Sequence, residues 1–180
     1  MPEMSPAAAQ ASVLLGRGVY LHASAVLCKD GGVILVTGSS GSGKSTLAIL
    51  MHRSGFPALA DDTVAVFRNT KGRILVQPSL GDCLWNRRLS PSPLRGIVFV
   101  EKGRRFGYAC IGNRYSYYRL LRDGGLWTDV YRLYNGIGEY ALSRKTLRGI
   151  VEETPCYLVG YSHQDPHSLR RVMTFINNGF

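Results

Sequence analysis

Apolar residues come mostly in short runs bounded by turn residues, with helical spacing in a few places. Tyr20 to Leu27 reads as a strand, Lys29-Asp30-Gly31-Gly32 as a turn, and Val33 to Thr37 as the next strand. A four-residue hairpin loop there pairs Cys28 with Val33 and brings His22 across from about Ser39. A helical pattern then runs to about Ser54, with Gly55 as its C-terminal cap. Phe56 to Ala60 is a short apolar piece. Thr63 to Phe67 and Arg73 to Val76 are strands around the turn Asn69 to Gly72. Gly81 to Pro93 reads as a loop carrying Trp85, Arg87 and Arg88. Leu94 to Val100 and Phe106 to Ile111 read as a hairpin around Lys102-Gly103-Arg104-Arg105. Tyr115 to Arg122 and Leu126 to Tyr134 have helical patterns, and Pro155 to Tyr161 is a strand. Asp165-Pro166 starts a last helix, whose residues Leu169, Val172, Met173 and Ile176 form a core-facing stripe. No internal repeat is present.

Between the strand at Val33 and the helix beyond lies Gly38-Ser39-Ser40-Gly41-Ser42-Gly43-Lys44-Ser45, a G-x-x-x-x-G-K-[ST] phosphate loop in its strand–loop–helix setting. Glycines let successive backbone N–H groups turn inward toward phosphate oxygens, and the helix start adds partial positive charge. The candidate nucleotide-binding residues are Gly38, Ser40, Gly41, Ser42, Gly43, Lys44, Ser45 and Thr46. Lys44 suits the outer phosphates and the Ser45 hydroxyl suits Mg²⁺. An antiparallel strand feeding this loop points to a mixed sheet rather than a doubly wound parallel one.

Composition narrows the class. The 180 residues fit one domain at 13–180 after a Pro/Ala/Ser-rich tail at 1–12, which reads as disordered. No stretch is long and apolar enough to span a bilayer, and no signal peptide is apparent. Cys28, Cys83, Cys110 and Cys156 are isolated from one another, and read as buried free thiols in a reducing cytoplasm. With 22 Lys and Arg against 12 Asp and Glu, the net charge of +10 suits an acidic partner. No helix-turn-helix, zinc finger or RNA-binding aromatic signature is present, so nucleic acid is not expected. Nine of the ten tyrosines fall between Tyr108 and Tyr161, at spacings typical of half-buried packing residues.

Asp61-Asp62 follow the apolar piece after the loop helix. A turn or cap is one use for such a pair. A bound triphosphate and its metal also need anionic ligands and a base beside the reacting phosphate, and few other carboxylates precede residue 100. As adjacent strand residues, one would face the metal and the other the acceptor.

His22-Ala23-Ser24-Ala25, the loop Gly38–Ser45, and Gly55-Phe56 leading to Ala60-Asp61-Asp62 together resemble the HPr serine kinase/phosphorylase catalytic domain. More distantly they resemble ATP-dependent phosphoenolpyruvate carboxykinase. The resemblance is close over Val19 to Phe67 and looser to the end of the chain. It implies a single-domain α/β P-loop kinase fold with a mixed, partly antiparallel sheet. It also implies an ATP- and Mg²⁺-dependent phosphotransferase acting on a serine hydroxyl. Related kinases in peptide-modification pathways act on a serine of a small precursor peptide, so the expected partner is an acidic serine-containing protein or peptide. A homo-oligomer is implied as well.

On this basis Lys44 and the loop hold the phosphates, Ser45 and Asp62 bind Mg²⁺, Asp61 accepts the serine proton, and His22 assists near the transferring group. A downstream arginine is expected, with Arg87, Arg88, Arg95 and Arg114 as candidates. The competing readings are a small-molecule kinase on the same scaffold, a nucleotide sensor without transfer, and a nucleic-acid-linked ATPase.

Overall fold

The computed structural model describes residues 17–78, 90–123, 141–162 and 164–178. The apolar run at Val33 is buried at every position and forms β3 (Val33–Thr37), as a strand covered on both faces requires. Its neighbours are β2 (Ser24–Leu27), antiparallel, and β7 (Ser92–Lys102), parallel. Beyond β2 lies β4 (Ala58–Ala60). Beyond β7 lie β9 (Cys156–Tyr161) and then β8 (Gly107–Cys110). A second, antiparallel layer consists of β1 (Gly18–His22), β5 (Thr63–Arg68) and β6 (Ile74–Pro78). The first residues of the long strand β7 pair with β6, and the rest of it joins the β3 layer, so β7 links the two. The sheet is therefore mixed, as expected.

Three sequence readings need correction. The strand read over Tyr20 to Leu27 is two strands in different layers, parted at Ala23, whose N–H donates to the Asp62 carbonyl (3.1 Å). Periodicity alone cannot reveal such a break, because both halves are buried. The hairpin register also differs by one residue: Leu27, not Cys28, pairs with Val33. Cys28 N–H donates to the Gly32 carbonyl, and Gly31 takes φ 84°, giving the three-residue loop that places glycine in the left-handed region. Finally, β7 and β8 do not pair with each other. β9 lies between them, parallel to β7 and antiparallel to β8. Insertion of a strand from 46 residues further along the chain (110 to 156) leaves no local mark.

Four helices complete the described structure. α1 (Lys44–Arg53) and α4 (Pro166–Asn178) cover one face of the β3 layer, with Leu47, Met51, Val172 and Ile176 packed on Val36, Val98 and Val100. The last helix keeps its expected stripe and its cap, Asp165 accepting from His167 N–H at 2.9 Å. α2 (Asn113–Asp123) agrees with the pattern at Tyr115 to Arg122. The segment 141–152 is also helical, α3, an element absent from the sequence reading. Leu147, Ile150 and Val151 of α3 join Tyr117 and Leu120 of α2 in the main core, between the two strand layers. The pattern at Leu126 to Tyr134, the tail at 1–12 and residues 81–89 of the loop read over Gly81 to Pro93 lie outside the described residues, and the end of that loop, Ser92 and Pro93, is instead the start of β7. Cys156 is buried and Cys28 half-buried, but Cys110 is exposed on β8, which corrects the expectation for that thiol. Tyr117 and Tyr161 are buried, whereas Tyr108, Tyr115 and Tyr118 are exposed. Among the described residues no helix is long and apolar enough to cross a membrane.

Candidate active site

The loop Gly38–Ser45 leaves the end of β3 and turns into α1 through Gly43, which has φ 101°. Among the described residues no side chain caps the helix, and its first turn holds no acidic residue. Its free N–H groups and partial positive charge are thus available to an anion. Lys44 is buried and folds back on the loop, donating to the Gly38 (2.8 Å) and Ser39 (3.2 Å) carbonyls. Among the described residues the buried Ser42 hydroxyl has no hydrogen-bond partner. A cavity of about 260 Å³ opens over Gly41, Gly43, Lys44, Ser45 and Thr46. A buried hydroxyl without a partner among the described residues, a lysine held by loop carbonyls and a helix start free of a side-chain cap there fit the oxygens of a polyphosphate.

The loop is held from a distance. Tyr161, at the end of β9 and 2 % exposed, donates from its hydroxyl to the Gly43 carbonyl at 2.8 Å. An alanine methyl at Gly43 would lie 2.7 Å from that hydroxyl. Burial pushes the Tyr161 phenol up to about 12, so it remains a donor at all ordinary pH.

Asp61 and Asp62 occupy the bend between β4 and β5, rather than a strand, so strand alternation does not set their directions. Their partners do. Asp61 Oδ1 accepts from Ser24 Oγ at 2.9 Å, and Asp62 Oδ1 lies 2.8 Å from His22 Nδ1. Asp62 is the more open, with 62 % of its side chain exposed. The His22 carbonyl accepts from Thr37 Oγ1 (3.3 Å), one residue before the loop. His22 thus sits at the loop mouth, as expected, although through the broken strand rather than the hairpin. Burial pushes the Lys44 ammonium below its ordinary value, and Asp123, Asp61 and Asp62 pull it back up.

Three nearby groups escaped the sequence reading. Asp123, at the end of α2, has a side chain that is 1 % exposed and is also felt by Lys44. It pairs with Arg119 (3.1 Å) and Arg122 (2.9 Å). Arg119 is 4 % exposed, lies over the Phe99 ring and reaches Glu101 at 2.5 Å. Lys102 lines the loop cavity from the end of β7. Of the arginine candidates, Arg95 pairs with Asp30 beside the start of β3, the opposite end of the strand from the loop. Arg114 is in the first turn of α2, about 14 Å along the helix from Asp123. Arg87 and Arg88 lie outside the described residues. Among the described residues no cluster of three or more His, Cys, Asp or Glu side chains could hold a metal. A sparse set such as Ser45 with one aspartate suits Mg²⁺, which keeps waters and phosphate oxygens in its shell.

No family model and no curated protein matches the chain. Among solved structures, the HPr(Ser) kinase/phosphatase from Coxiella burnetii is similar, with a TM-score of 0.51 over 89 % of this chain and 95 % of that one. The two are 10 % identical, so the likeness is one of fold. The mixed α/β architecture with its mixed sheet is the one shared with that kinase-like fold.

Proposed function

We propose that this chain is an ATP- and Mg²⁺-dependent phosphotransferase that phosphorylates a serine hydroxyl on an acidic protein or peptide. The observation that carries the reading is the pair of adjacent aspartates, each held by a different partner, Ser24 or His22, whose charges favour the Lys44 ammonium. The kinase-like fold supports it. Mg²⁺-ATP supplies the phosphoryl group and the cationic charge that screens it. The loop N–H groups from Ser40 to Ser45 and the Lys44 ammonium bind the phosphates. Ser45 and Asp62 hold the metal, and the half-buried His22 fixes Asp62 in place. Asp61, oriented by Ser24, accepts the proton of the attacking serine as its oxygen bonds to phosphorus and the bond to the diphosphate breaks. Positioning and charge neutralisation do most of this, and a strong base is not required. The net charge of +10 favours an acidic substrate.

The test is transfer of labelled γ-phosphate into a serine-peptide panel, HPr and free serine, with wild type and Asp61→Asn in parallel. Label in a peptide or protein, reduced at least about 100-fold in the variant, is the expected result. Equal transfer by Asp61→Asn would overturn the base assignment. Label in free serine alone would indicate a small-molecule kinase. Tight nucleotide binding with no transfer would indicate a sensor.

A further inference from the structure

We infer that Lys102 is a second phosphate-binding residue, gripping the proximal phosphates of the nucleotide and so setting its direction across the loop. This rests on the proposed nucleotide site. Strand order supplies the first argument. β3, which feeds the loop, has β2 on one side and β7 on the other. Ser24, His22 and the aspartate bend belong to the β2 and β4 side, whereas Lys102 ends β7. With strands roughly 4.8 Å apart, the two flanks are separated by about 10 Å.

Alternation along β7 gives the second argument. Val98 and Val100 pack with α1, and Phe99 faces the other core. Glu101 follows Phe99 to Arg119, so Lys102 falls on the α1 side and lines the loop cavity. The position is braced. Gly103 N–H donates to the Tyr161 carbonyl (2.9 Å), while the Tyr161 hydroxyl holds Gly43 (2.8 Å). One residue of β9 therefore fixes both Lys102 and the loop.

Charge supplies the third. Among the described residues Lys102 has no carboxylate partner, whereas Arg68, Arg95, Arg119 and Arg122 are all paired. Glu101, next to it in β7, is paired with Arg119, and Asp123 with Arg119 and Arg122. The loop is therefore flanked by an unmatched cation at β7 and by Asp61 and Asp62 across β3. Bare phosphate oxygens favour the first flank. The metal-bearing, transferable end belongs at the second, where carboxylates would otherwise repel it.

The experiment is a titration of wild type, Lys102→Ala and Lys102→Arg with fluorescent ADP, and competition by ATP, alongside the transfer assay. A lost charge-assisted contact to a phosphate present in both ligands should weaken ADP and ATP alike, by about 10- to 100-fold. Lys102→Arg should recover most of this, and kcat at saturating ATP should stay within about twofold of wild type, since uniform binding is lost. ADP affinity within about twofold of wild type in Lys102→Ala would overturn the inference. Loss confined to ATP would also overturn it, by placing Lys102 at the transferable end. Lys102-dependent ADP binding without any transfer would sink the kinase reading and leave this one standing. Transfer with Lys102-independent binding would do the reverse, and a wild type that binds neither nucleotide would sink both.

Discussion

Replacing Gly43 with alanine measures how firmly β9 shapes the loop. Gly43 has φ 101° and ψ 16°, a left-handed conformation that costs an L-residue about 1–2 kcal/mol. The new methyl would lie 2.7 Å from the Tyr161 hydroxyl, on a ring too buried to swing away. Displacing that hydroxyl breaks its bond to the Gly43 carbonyl, at about 1 kcal/mol. Gly43→Ala should therefore cost about 2–3 kcal/mol, and lower the melting temperature by about 4–12 °C for a chain of this size. Tyr161→Phe alone should cost only about 1 kcal/mol, because the carbonyl keeps the Leu47 N–H at 2.9 Å. In the Tyr161→Phe background the methyl meets no hydroxyl, so Gly43→Ala should cost only the backbone term. The double-mutant cycle should show a coupling of about 1 kcal/mol, above the roughly 0.5 kcal/mol scatter of independent sites. Urea unfolding of the four proteins gives the numbers. Additivity within about 0.5 kcal/mol would refute the contact, and a neutral Gly43→Ala would refute the loop geometry itself.

Other outcomes follow from the same geometry. Ser24→Ala frees the Asp61 carboxylate from its 2.9 Å tether, and should lower kcat for transfer by about 10- to 100-fold with little change in nucleotide KM; an unchanged kcat would show that Asp61 needs no such positioning. The Gly32 N–H, and then Arg95, hold the Asp30 carboxyl below its ordinary 3.8, and Arg68 does the same for Glu153. The stability these groups contribute is present above their ordinary values and is lost as pH falls through the lower folded ones. Asp30→Asn should therefore flatten the acid limb of the urea midpoint below about pH 4, and an unaltered limb would discount the pairing. In a Cys83→Ser background, exposed Cys110 should be the first thiol to react with a disulfide reagent at pH 8. Cys156 and Cys28, both pushed up to about 11 by burial, should lag. A fast phase that survives Cys110→Ser would contradict this.

Contiguous chemistry was legible in the sequence. The glycines, Lys44 and Ser45 of the loop lie within eight residues, so their spacing alone marks them as a candidate phosphate loop. The end of α1 near Ser54, the β5–β6 turn and the stripe of α4 are likewise local, set by caps, turn residues and a 3.6-residue period. The mixed sheet followed from a single turn, read one residue out of register but in the right sense.

Tertiary structure decided what depends on partners far along the chain. The break at Ala23 follows from pairing β1 with β5 and β2 with β3, a choice that two buried apolar halves do not announce. The strand between β7 and β8 comes from beyond α3, because a parallel neighbour must cross over before it can pair. Adjacent in sequence, Asp61 and Asp62 acquire different partners only when Ser24 and His22 reach them across the layers. Arg119, Asp123, Tyr161 and Lys102 carry no motif at all. Lys102 and Tyr161 come to the loop because β7 and β9 end beside it, and the identity of neighbours brought together by packing is not written in the spacing of either segment.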